Sequence, residues 1–522
     1  MVASDSRHKD LREAEVTEIN PSDLEAIYES VSDFSAESIA KIVQAHQLPY
    51  LSETFASIEH ASGYVDGFVI RQYLYQTIKF RSFNLVSPFS GHSVESKFSI
   101  ALYNKSTFVF FDDFSVAIGH LGMGFPIMAL IIPKERLFLK IIDNFWGVKE
   151  EQLPAVAKIL TRFAETVEEK PNKLYLLSGD PNFAHHAWNH LSALQGVVDC
   201  GLAKFPAQLV STHEPLGPTP ELFPELAHWN NYQVPEWELE DINKRGQMIL
   251  PVGGSFIKKT LVDRVLRHVE MNPKSEDALR ILARTRSANG PVLWMSVRSR
   301  NRTAINLNEA LIELGKHFIK HYPQGLIILD GHSVVCDFDS NPGVDKPAQL
   351  ETVKSDKEAA EEIAKALATK NGGMPPVELA IGLEISESIY LAQLAGFYFC
   401  HHGTVQHKIG WFSSCPGVIH SNVRTTGMDL APAMKGQSEI ADLPVYVPIE
   451  LIGETDSVDL GSDLEKLLRV ENYRFSDIPG LIQFTGDLID TKLGRQSEKS
   501  PLRRKIGIKL KQIINSLKGA AT

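Results

Sequence analysis

The sequence has no long apolar run and no excess of positive charge, and each absence excludes a class of protein. Its most apolar stretch, residues 125–132, is far shorter than the ~20 residues that a membrane-spanning helix needs. The N-terminal residues, Met1-Val2-Ala3-Ser4, lack the apolar core of a signal peptide. The formal net charge of -11 over 522 residues argues against nucleic acid as the main partner, because a phosphate backbone requires a basic surface.

Cysteine is also scarce. The four cysteines are widely spaced and form no CxxC pair: Cys200, Cys336, Cys400 and Cys415. They predict reduced thiols of a cytoplasmic protein rather than a disulfide framework or a zinc site. No cofactor is predicted, and the only further pattern that would suit a metal is the DxD pair of Asp337 and Asp339, considered below. The content of 43% hydrophobic and 22% charged residues is typical of a globular protein, and the length fits two to four domains.

The distribution of apolar runs predicts an α/β protein with four segments. Residues 1–93 are polar and acidic with helical patches, and we expect an N-terminal extension. Residues 94–288 begin with closely spaced strands that predict a mostly antiparallel element, followed by α/β units. Residues 289–480 form a second α/β domain, and residues 481–522 a tail helix. Two α/β domains facing a cleft is the simplest architecture.

The second domain shows the clearest alternation. Apolar strands are predicted at 292–297, 326–331, 377–381, 397–400 and 417–420. Helices are predicted between them at 306–321, 354–370, 386–394 and 405–412. This order predicts a parallel sheet with right-handed crossovers. Ligands of such sheets bind outside the carboxyl ends of the strands.

Three arginines follow the first of these strands. Arg298, Arg300 and Arg302 alternate with small polar residues, and guanidiniums suit phosphate oxygens because their donors are planar and bidentate. In an extended segment all three would share one face, whereas a turn would separate Arg300 from the others. A solvated, charged turn is the alternative interpretation.

A second strand end carries His401-His402-Gly403-Thr404. Thr404 suits a helix cap, Gly403 would let a phosphate approach the main chain, and a helix start attracts anions. The alternative is a pair of core histidines beside an ordinary cap. Together with the arginines, His402, Gly403 and Thr404 favour a diphosphate site.

These motifs resemble the C-terminal domain of inverting glycosyltransferases of family sixty-one. The first is a strand with S-x-R-x-x-x-R and N-x-x-E, at Ser296, Arg298, Arg302, Asn306 and Glu309. The second runs through Glu384, Leu391, Ala392, His402, Gly403, Trp411, Phe412, Pro416 and Gly417. The family's usual H-G-A-G-L reads His402-Gly403-Thr404-Val405-Gln406 here, so its second glycine is missing. In the first domain, residues 182–189 (NFAHHAWN) resemble the family's N-Y-x-H-W-x-x-[DE] helix start.

The resemblance implies an enzyme with the GT-B architecture, two Rossmann-like domains facing a cleft. A nucleotide-sugar donor would bind the C-terminal domain, and a glycan or protein hydroxyl would approach from the N-terminal one. Transfer would be a single inverting displacement without a metal. His185, and second His186, would take the acceptor proton, since an imidazole titrates near working pH.

The remaining roles are assigned to the C-terminal domain. Arg298, Arg302 and the helix start at 402–404 would stabilise the departing diphosphate, with Arg300 less certain. Glu384 would accept from ribose hydroxyls, and Asp330 and His332 lie at another strand end.

Alternative functions also follow from the sequence. The pair Asp337 and Asp339 would suit metal-dependent transfer. A non-catalytic sugar- or nucleotide-binding protein of cell-envelope polysaccharide assembly would keep the arginines and lack a base. A phosphatase is disfavoured, because no P-loop or nucleophilic cysteine motif is present.

The last segment, residues 501–518, has leucines and isoleucines on one helical face and lysines and arginines on the rest. Such a helix can lie on an anionic membrane, which would make this cytoplasmic protein peripheral to the inner face of the membrane. Packing of the helix on the body of the protein is the alternative.

Overall fold

The protein folds into two α/β domains. The computed structural model describes residues 19–67, 69–119, 124–143, 147–164, 173–272, 274–300, 302–368, 376–455 and 471–494. Across these ranges, no helix combines the length and the apolar content that crossing a membrane requires. The predicted α/β class and the two-domain division are confirmed by the two parallel sheets described below.

The N-terminal domain contains a six-stranded and a four-stranded sheet with helices around them. Its strands are β1 (Glu29–Val31), β2 (Tyr64–Asp66), β3 (Ile70–Arg71), β4 (Asn84–Val86), β5 (Ser93–Glu95), β6 (Phe98–Ala101), β7 (Thr107–Phe110), β8 (Ser115–Ile118), β9 (Ile127–Ile132), β10 (Leu137–Lys140), β11 (Leu174–Ser178), β12 (Gln208–Ser211), β13 (Asn230–Gln233) and β14 (Met248–Pro251). Its helices are α1 (Pro21–Leu24), α2 (Ala36–His46), α3 (Leu51–Ser62), α4 (Gln72–Phe80), α5 (Leu153–Ala164), α6 (Phe183–His185), α7 (Ser192–Asp199), α8 (Thr219–Leu222) and α9 (Lys259–Met271), with a π-helical turn at His186–Leu191.

The six-stranded sheet has the order β1-β10-β9-β8-β7-β6 and is antiparallel except where β1 runs parallel to β10. This confirms the predicted antiparallel element. Every residue of β9 is buried, because helices cover both faces of the sheet. A strand covered on both faces reads as a continuous apolar run, which is why this stretch is the most apolar in the sequence.

The segment 1–93 does not stand apart as an extension. In its described part, β1 is the edge strand of the six-stranded sheet. Leu51, Ile58 and Tyr73, from α3 and α4, belong to the same buried cluster as the strands they cover. The many polar residues of these helices led to the prediction of a separate extension, although each helix also has an apolar face that is buried. The predicted N-terminal extension at 1–93 is therefore corrected: its described part belongs to the N-terminal domain.

The four-stranded sheet is parallel and has the order β13-β12-β11-β14. Buried Ser99 of β6 joins it to the first sheet, since its hydroxyl donates to the Ile249 carbonyl and accepts from the Ile249 N–H, each at 2.6 Å. The carboxyl ends of β11 and β12 point towards the second domain. Asn341 of that domain donates to the Thr212 carbonyl just beyond β12, at 2.8 Å.

The C-terminal domain is built around one six-stranded sheet. Its strands are β15 (Val292–Ser296), β16 (Leu326–Asp330), β17 (Val377–Ala380), β18 (Phe397–His401), β19 (Gly417–His420) and β20 (Val445–Tyr446), and β21 (Ile452–Glu454) and β22 (Tyr473–Phe475) form a separate pair. Its helices are α10 (Glu276–Ser287), α11 (Leu307–His321), α12 (Lys346–Leu367), α13 (Ile385–Ala392), α14 (Thr404–Gly410), α15 (Val423–Thr426), α16 (Ala431–Gly436) and α17 (Ile478–Lys492).

All strands of this sheet are parallel, in the order β17-β16-β15-β18-β19-β20. The predicted alternation is therefore confirmed. Counted from β15, the order is 3-2-1-4-5-6, and its direction reverses between β15 and β18. Doubly wound sheets bind ligands at this switch point. The arginines follow β15, and Gly403 follows β18.

Two predicted boundaries shift. The domain boundary was expected near Asn289, but α10 already belongs to the C-terminal domain, where Arg284 pairs with the buried Glu378 at 2.6 Å. The helix predicted at 354–370 begins earlier, at Lys346, because Asp345 caps it by accepting from the Ala348 N–H.

The two domains share one apolar core. Ile385, Ile389, Trp411 and Phe412 of the C-terminal domain lie in the same buried cluster as N-terminal residues such as Leu191. Complete burial of such a side chain contributes about 1.5–3 kcal/mol. The shared core and the hydrogen bonds beside it therefore hold the two domains in one arrangement. The predicted basic helix at 501–518 lies outside the described residues.

Candidate functional site

A cavity of about 340 Å³ opens at the switch point of the C-terminal sheet and is closed on one side by the N-terminal domain. The loops after β15 and β16 and the start of α14 form most of its wall, and α12 and α13 complete it. The N-terminal domain adds Pro181, Asn182 and Phe183. The charged and imidazole-bearing residues in the wall are Arg298, Arg300, His332, Asp356 and Lys408.

Arg298 and Arg300 enter the cavity from the loop after β15. The Arg298 Nε donates to the Arg300 carbonyl at 3.0 Å, which folds the loop back on itself. Burial, and then the charge of Arg302, lowers the pKa of Arg298 to about 10. Arg298 is therefore charged at neutral pH, and a partly desolvated guanidinium is well suited to an anionic ligand.

Arg302, unlike Arg298 and Arg300, does not line the cavity. Its φ of 56° lies in the left-handed region, so the extended alternation that would align all three is broken there. Its guanidinium lies behind the second loop, 3.7 Å from the place that a Cβ on Gly403 would occupy. The structure thus brings Arg302 next to Gly403 but outside the cavity wall.

Asp356 of α12 joins the two loops that form this wall. Its Oδ1 accepts from the N–H and the hydroxyl of Ser299, at 3.0 and 2.6 Å, and its Oδ2 accepts from the His332 N–H at 2.9 Å. Asp356 is 4% exposed. The loop after β15 is thereby tied to the loop after β16.

Lys408 of α14 lines the cavity and pairs with Asp330, the last residue of β16, which is buried and not itself part of the wall. The Lys408 ammonium donates to Asp330 Oδ1 at 2.5 Å, to the Gly331 carbonyl at 2.8 Å and to the Ser333 hydroxyl at 3.2 Å. Asp330 is completely buried, and burial raises the pKa of its carboxyl while Lys408 opposes the shift. All three ammonium protons are used within the protein.

His332 also lines the cavity. Burial, and then the positive charge of Lys408, lowers the pKa of His332 to about 4, so its ring is uncharged at neutral pH. Within the described part of the chain its Nε2 has no hydrogen-bond partner. This ring can exchange a hydrogen bond with a ligand without adding charge.

The helix that begins after β18, α14, is shorter than expected. Gly403, with φ 115°, occupies the cap position that the sequence gave to Thr404, and α14 spans seven residues. We therefore assign no anion affinity to its dipole. Thr404 lines the cavity, whereas the His402 ring bonds the Tyr446 hydroxyl at 2.7 Å.

The N-terminal domain presents the start of α6. The Asn182 side chain caps this helix by accepting from the Ala184 N–H at 3.0 Å, and Asn182 lines the cavity. His185 follows within the same turn, half-buried, with its Nδ1 3.4 Å from Asn189 Oδ1. His185 lies near α14. The pKa of His407 in that helix is lowered first by burial, then by the charge of His402, and then by that of His185.

Comparison with known proteins identifies no family. No family model matches the chain, and no curated protein does. Among solved structures, a glycosyl transferase of family 9 from Veillonella parvula is 10% identical over 62% of this chain and 99% of its own, with a TM-score of 0.35. The E. coli ADP-heptose LPS heptosyltransferase II is 9% identical over 62% and 99%, with a TM-score of 0.31. The UDP-GlcNAc 2-epimerase of Methanocaldococcus jannaschii is 13% identical over 66% and 83%, with a TM-score of 0.25. Similarities this low establish neither family nor function.

Only part of the predicted set lines the cavity. The predicted catalytic and donor-binding residues that are absent from its wall are His185, His186, Arg302, Asp330, Glu384, His402 and Gly403. His186 is completely buried beside His190, with ring centroids 6.0 Å apart. Glu384 is half-buried beside the thiol of Cys336 and is absent from the wall. Asp337, of the proposed metal-binding pair, instead accepts from the Glu214 N–H at 2.8 Å, across the domain interface.

Two charged residues of the wall, Lys408 and Asp356, were not predicted from the sequence. Lys408 had a usable signal, because it is the only cation among the apolar residues that follow Thr404 up to Phe412. Asp356 had none, because it lies in a helix rich in acidic residues, most of them exposed. Only the packing of α12 distinguishes it from the others.

Proposed function

We propose that this chain is a glycosyltransferase of the GT-B type that moves a sugar from a nucleotide-sugar donor to a hydroxyl of a glycan or protein. The supporting observation is the cavity between the two domains, at the switch point of the C-terminal sheet. Arg298 and Arg300 stand on one side of it and Asn182 on the other. The resemblance of the surrounding motifs to family sixty-one adds to this support.

The donor diphosphate would lie against Arg298 and Arg300. Two guanidiniums at one strand end offer paired donors to phosphate oxygens, and the partial burial of Arg298 strengthens its attraction for negative charge, whereas Arg300 is exposed. The Lys408 protons are already used, so Lys408 would contribute charge rather than a direct hydrogen bond. The uncharged His332 would bond a neutral part of the donor.

Transfer would be one displacement at the anomeric carbon. The acceptor oxygen forms its bond to that carbon as the bond to the diphosphate oxygen breaks, and the hydroxyl proton passes to His185. The pair of electrons leaves with the diphosphate, whose growing charge the arginines stabilise without a metal. An inverted configuration follows, because attack and departure occur on opposite faces of the sugar.

The donor site is tested by ligand-induced stabilisation. UDP, ADP, GDP and CMP should be screened for a rise in melting temperature, because a ligand that binds only the folded state stabilises it. Arg298→Ala and Arg300→Ala should abolish the rise. Arg286→Ala, an exposed arginine of α10, serves as the control. No shift with any nucleotide would refute the donor site.

Catalysis is tested separately, by nucleotide release from a panel of nucleotide sugars. His185→Ala should lower transfer by about 10²–10⁴-fold while leaving nucleotide binding intact. His228→Ala, an exposed histidine, should leave both unchanged. Nucleotide binding without release from any donor would favour the non-catalytic sugar- or nucleotide-binding protein.

A further inference from the structure

A buried acid beside a proposed anion site needs a physical explanation. Asp356 lies in the wall of the cavity that also contains Arg298 and Arg300. Its negative charge opposes the binding of a diphosphate, because like charges repel across a partly desolvated site. Its presence therefore suggests a role that outweighs this repulsion.

The contacts of Asp356 indicate what this role is. Its carboxylate spans from Ser299, between the two arginines, to the backbone of His332. Hydrogen bonds to an ionised acceptor are about twice as strong as neutral ones, and these are shielded from water. Removing the carboxylate would leave the two loops tied together only by their weaker contacts.

Lys408 fixes the loop after β16 from the side opposite to Asp356. The Lys408 ammonium holds the Gly331 carbonyl and the Ser333 hydroxyl, on either side of the His332 N–H that Asp356 accepts. The loop after β16 is thus held by one negatively charged side chain, Asp356, and one positively charged side chain, Lys408. The loop after β15 carries the arginines. Of the two charged side chains, Asp356 and Lys408, only Asp356 connects this loop to the loop after β16.

We propose that Asp356 is a positioning residue, which holds the arginine loop and the loop after β16 in the arrangement that receives the donor diphosphate. It acts through Ser299 and the His332 backbone and does not touch the phosphates. This inference rests on the proposed function. It adds that the site is arranged before the donor arrives, so that little loop-ordering cost is left to binding.

The substitution Asp356→Asn separates positioning from simple electrostatics, because the two predict opposite signs. Loss of one negative charge alone should tighten the binding of an anion. Loss of the clamp should weaken it, and we expect at least a tenfold rise in Kd. The probes are inorganic pyrophosphate and the nucleoside diphosphates UDP, ADP and GDP, measured by isothermal titration calorimetry on the full chain.

Two further variants complete the test. Glu351→Gln removes an exposed acid from the same helix and should leave Kd unchanged. Ser299→Ala removes one of the three contacts and should weaken binding by a few-fold; it also carries the test should Asp356→Asn not fold. In the double variant, the two losses should not add, because they break the same contact.

The outcomes separate the two proposals. If the wild type binds neither pyrophosphate nor any of the nucleoside diphosphates, the donor site is refuted and the positioning role with it. If the wild type binds and Asp356→Asn binds equally well or more tightly, the donor site stands and the positioning role is refuted. A fully additive double variant would likewise show that Asp356 does not act through Ser299.

Discussion

The buried pair of Lys408 and Asp330 offers the sharpest test of the energetics of this site. Asp330 is completely buried and Lys408 is 3% exposed, so neither charge is relieved by water. The substitution Lys408→Met keeps the length and apolar stem of the side chain but removes its charge. It removes the hydrogen bond from Lys408 to Asp330 Oδ1. The hydrogen bond that this oxygen keeps is the one from the Ser388 hydroxyl, at 3.1 Å.

Removal of one partner from a buried ion pair typically costs about 3–5 kcal/mol. For domains of roughly 150–250 residues, each kcal/mol lowers the melting temperature by about 2–4 °C, so a fall of about 6–20 °C is expected. The double variant Lys408→Met/Asp330→Asn removes both charges. It should recover much of this loss, although the contacts of Lys408 to Gly331 and Ser333 remain broken.

The cost of Lys408→Met should depend on pH. Burial already raises the pKa of Asp330 above its usual range, and the loss of Lys408 raises it further. A folded state that binds a proton more tightly than the unfolded state loses stability as pH rises from about 3.9 towards the folded pKa. The variant should therefore be closest to the wild type near pH 4–5 and furthest from it at pH 8.

Thermal unfolding followed by circular dichroism at several pH values measures all of these effects. The chain has two domains, so the transition that responds should be compared between variants rather than converted to one free energy of unfolding. A single variant with an unchanged melting temperature would refute the assigned burial and pairing. So would a double variant as unstable as the single one, since uncompensated charge would then not be the cause.

Two other predictions test the packing of the sheets. Burial lowers the pKa of His186 to about 3, so its ring is neutral in the folded state above that pH. The stability linked to the neutral ring is fully present above about pH 6.5. It is lost at up to about 1.4 kcal/mol per pH unit as pH falls towards 3. His186→Phe should make acid unfolding, followed by circular dichroism, less steep, and an unchanged profile would contradict the assigned burial. Gly417→Ala should destabilise the C-terminal domain by about 1–3 kcal/mol, because a Cβ there would overlap the ring of Tyr398. Gly436→Ala, where nothing lies within 4 Å of the added carbon, is the matched control in the same thermal assay.

The alternation of the C-terminal domain could be predicted because each strand is an apolar run that ends at a polar loop. In a parallel sheet such ends lie at one edge, so the residues after β15 and β18 were expected at the same edge, and the observed pairing of these two strands makes them neighbours. This reasoning placed Arg298 and Thr404 together, and both line the cavity. Their roles in the reaction stay a prediction.

Other features of the site depend on turn geometry that the residue pattern does not encode. Arg300 faces the cavity and Arg302 does not, because the chain turns through the left-handed region at Arg302. His185 and His186 are adjacent in sequence, yet the helix that carries them directs one towards α14 and buries the other in the core. No periodicity in the sequence distinguishes between them.

By itself, the sequence determined the order of helices and strands and the parallel sheet of the second domain, because these follow from local apolar patterns and the direction of each strand. The anion site at the edge of that sheet stays a prediction. Only the tertiary structure decided that α10 joins the second domain, that Lys408 pairs with Asp330, and that Asp356 reaches Ser299 and His332. Those contacts join residues distant in sequence, and the partner of a buried charge is fixed by the packing that excludes water from it.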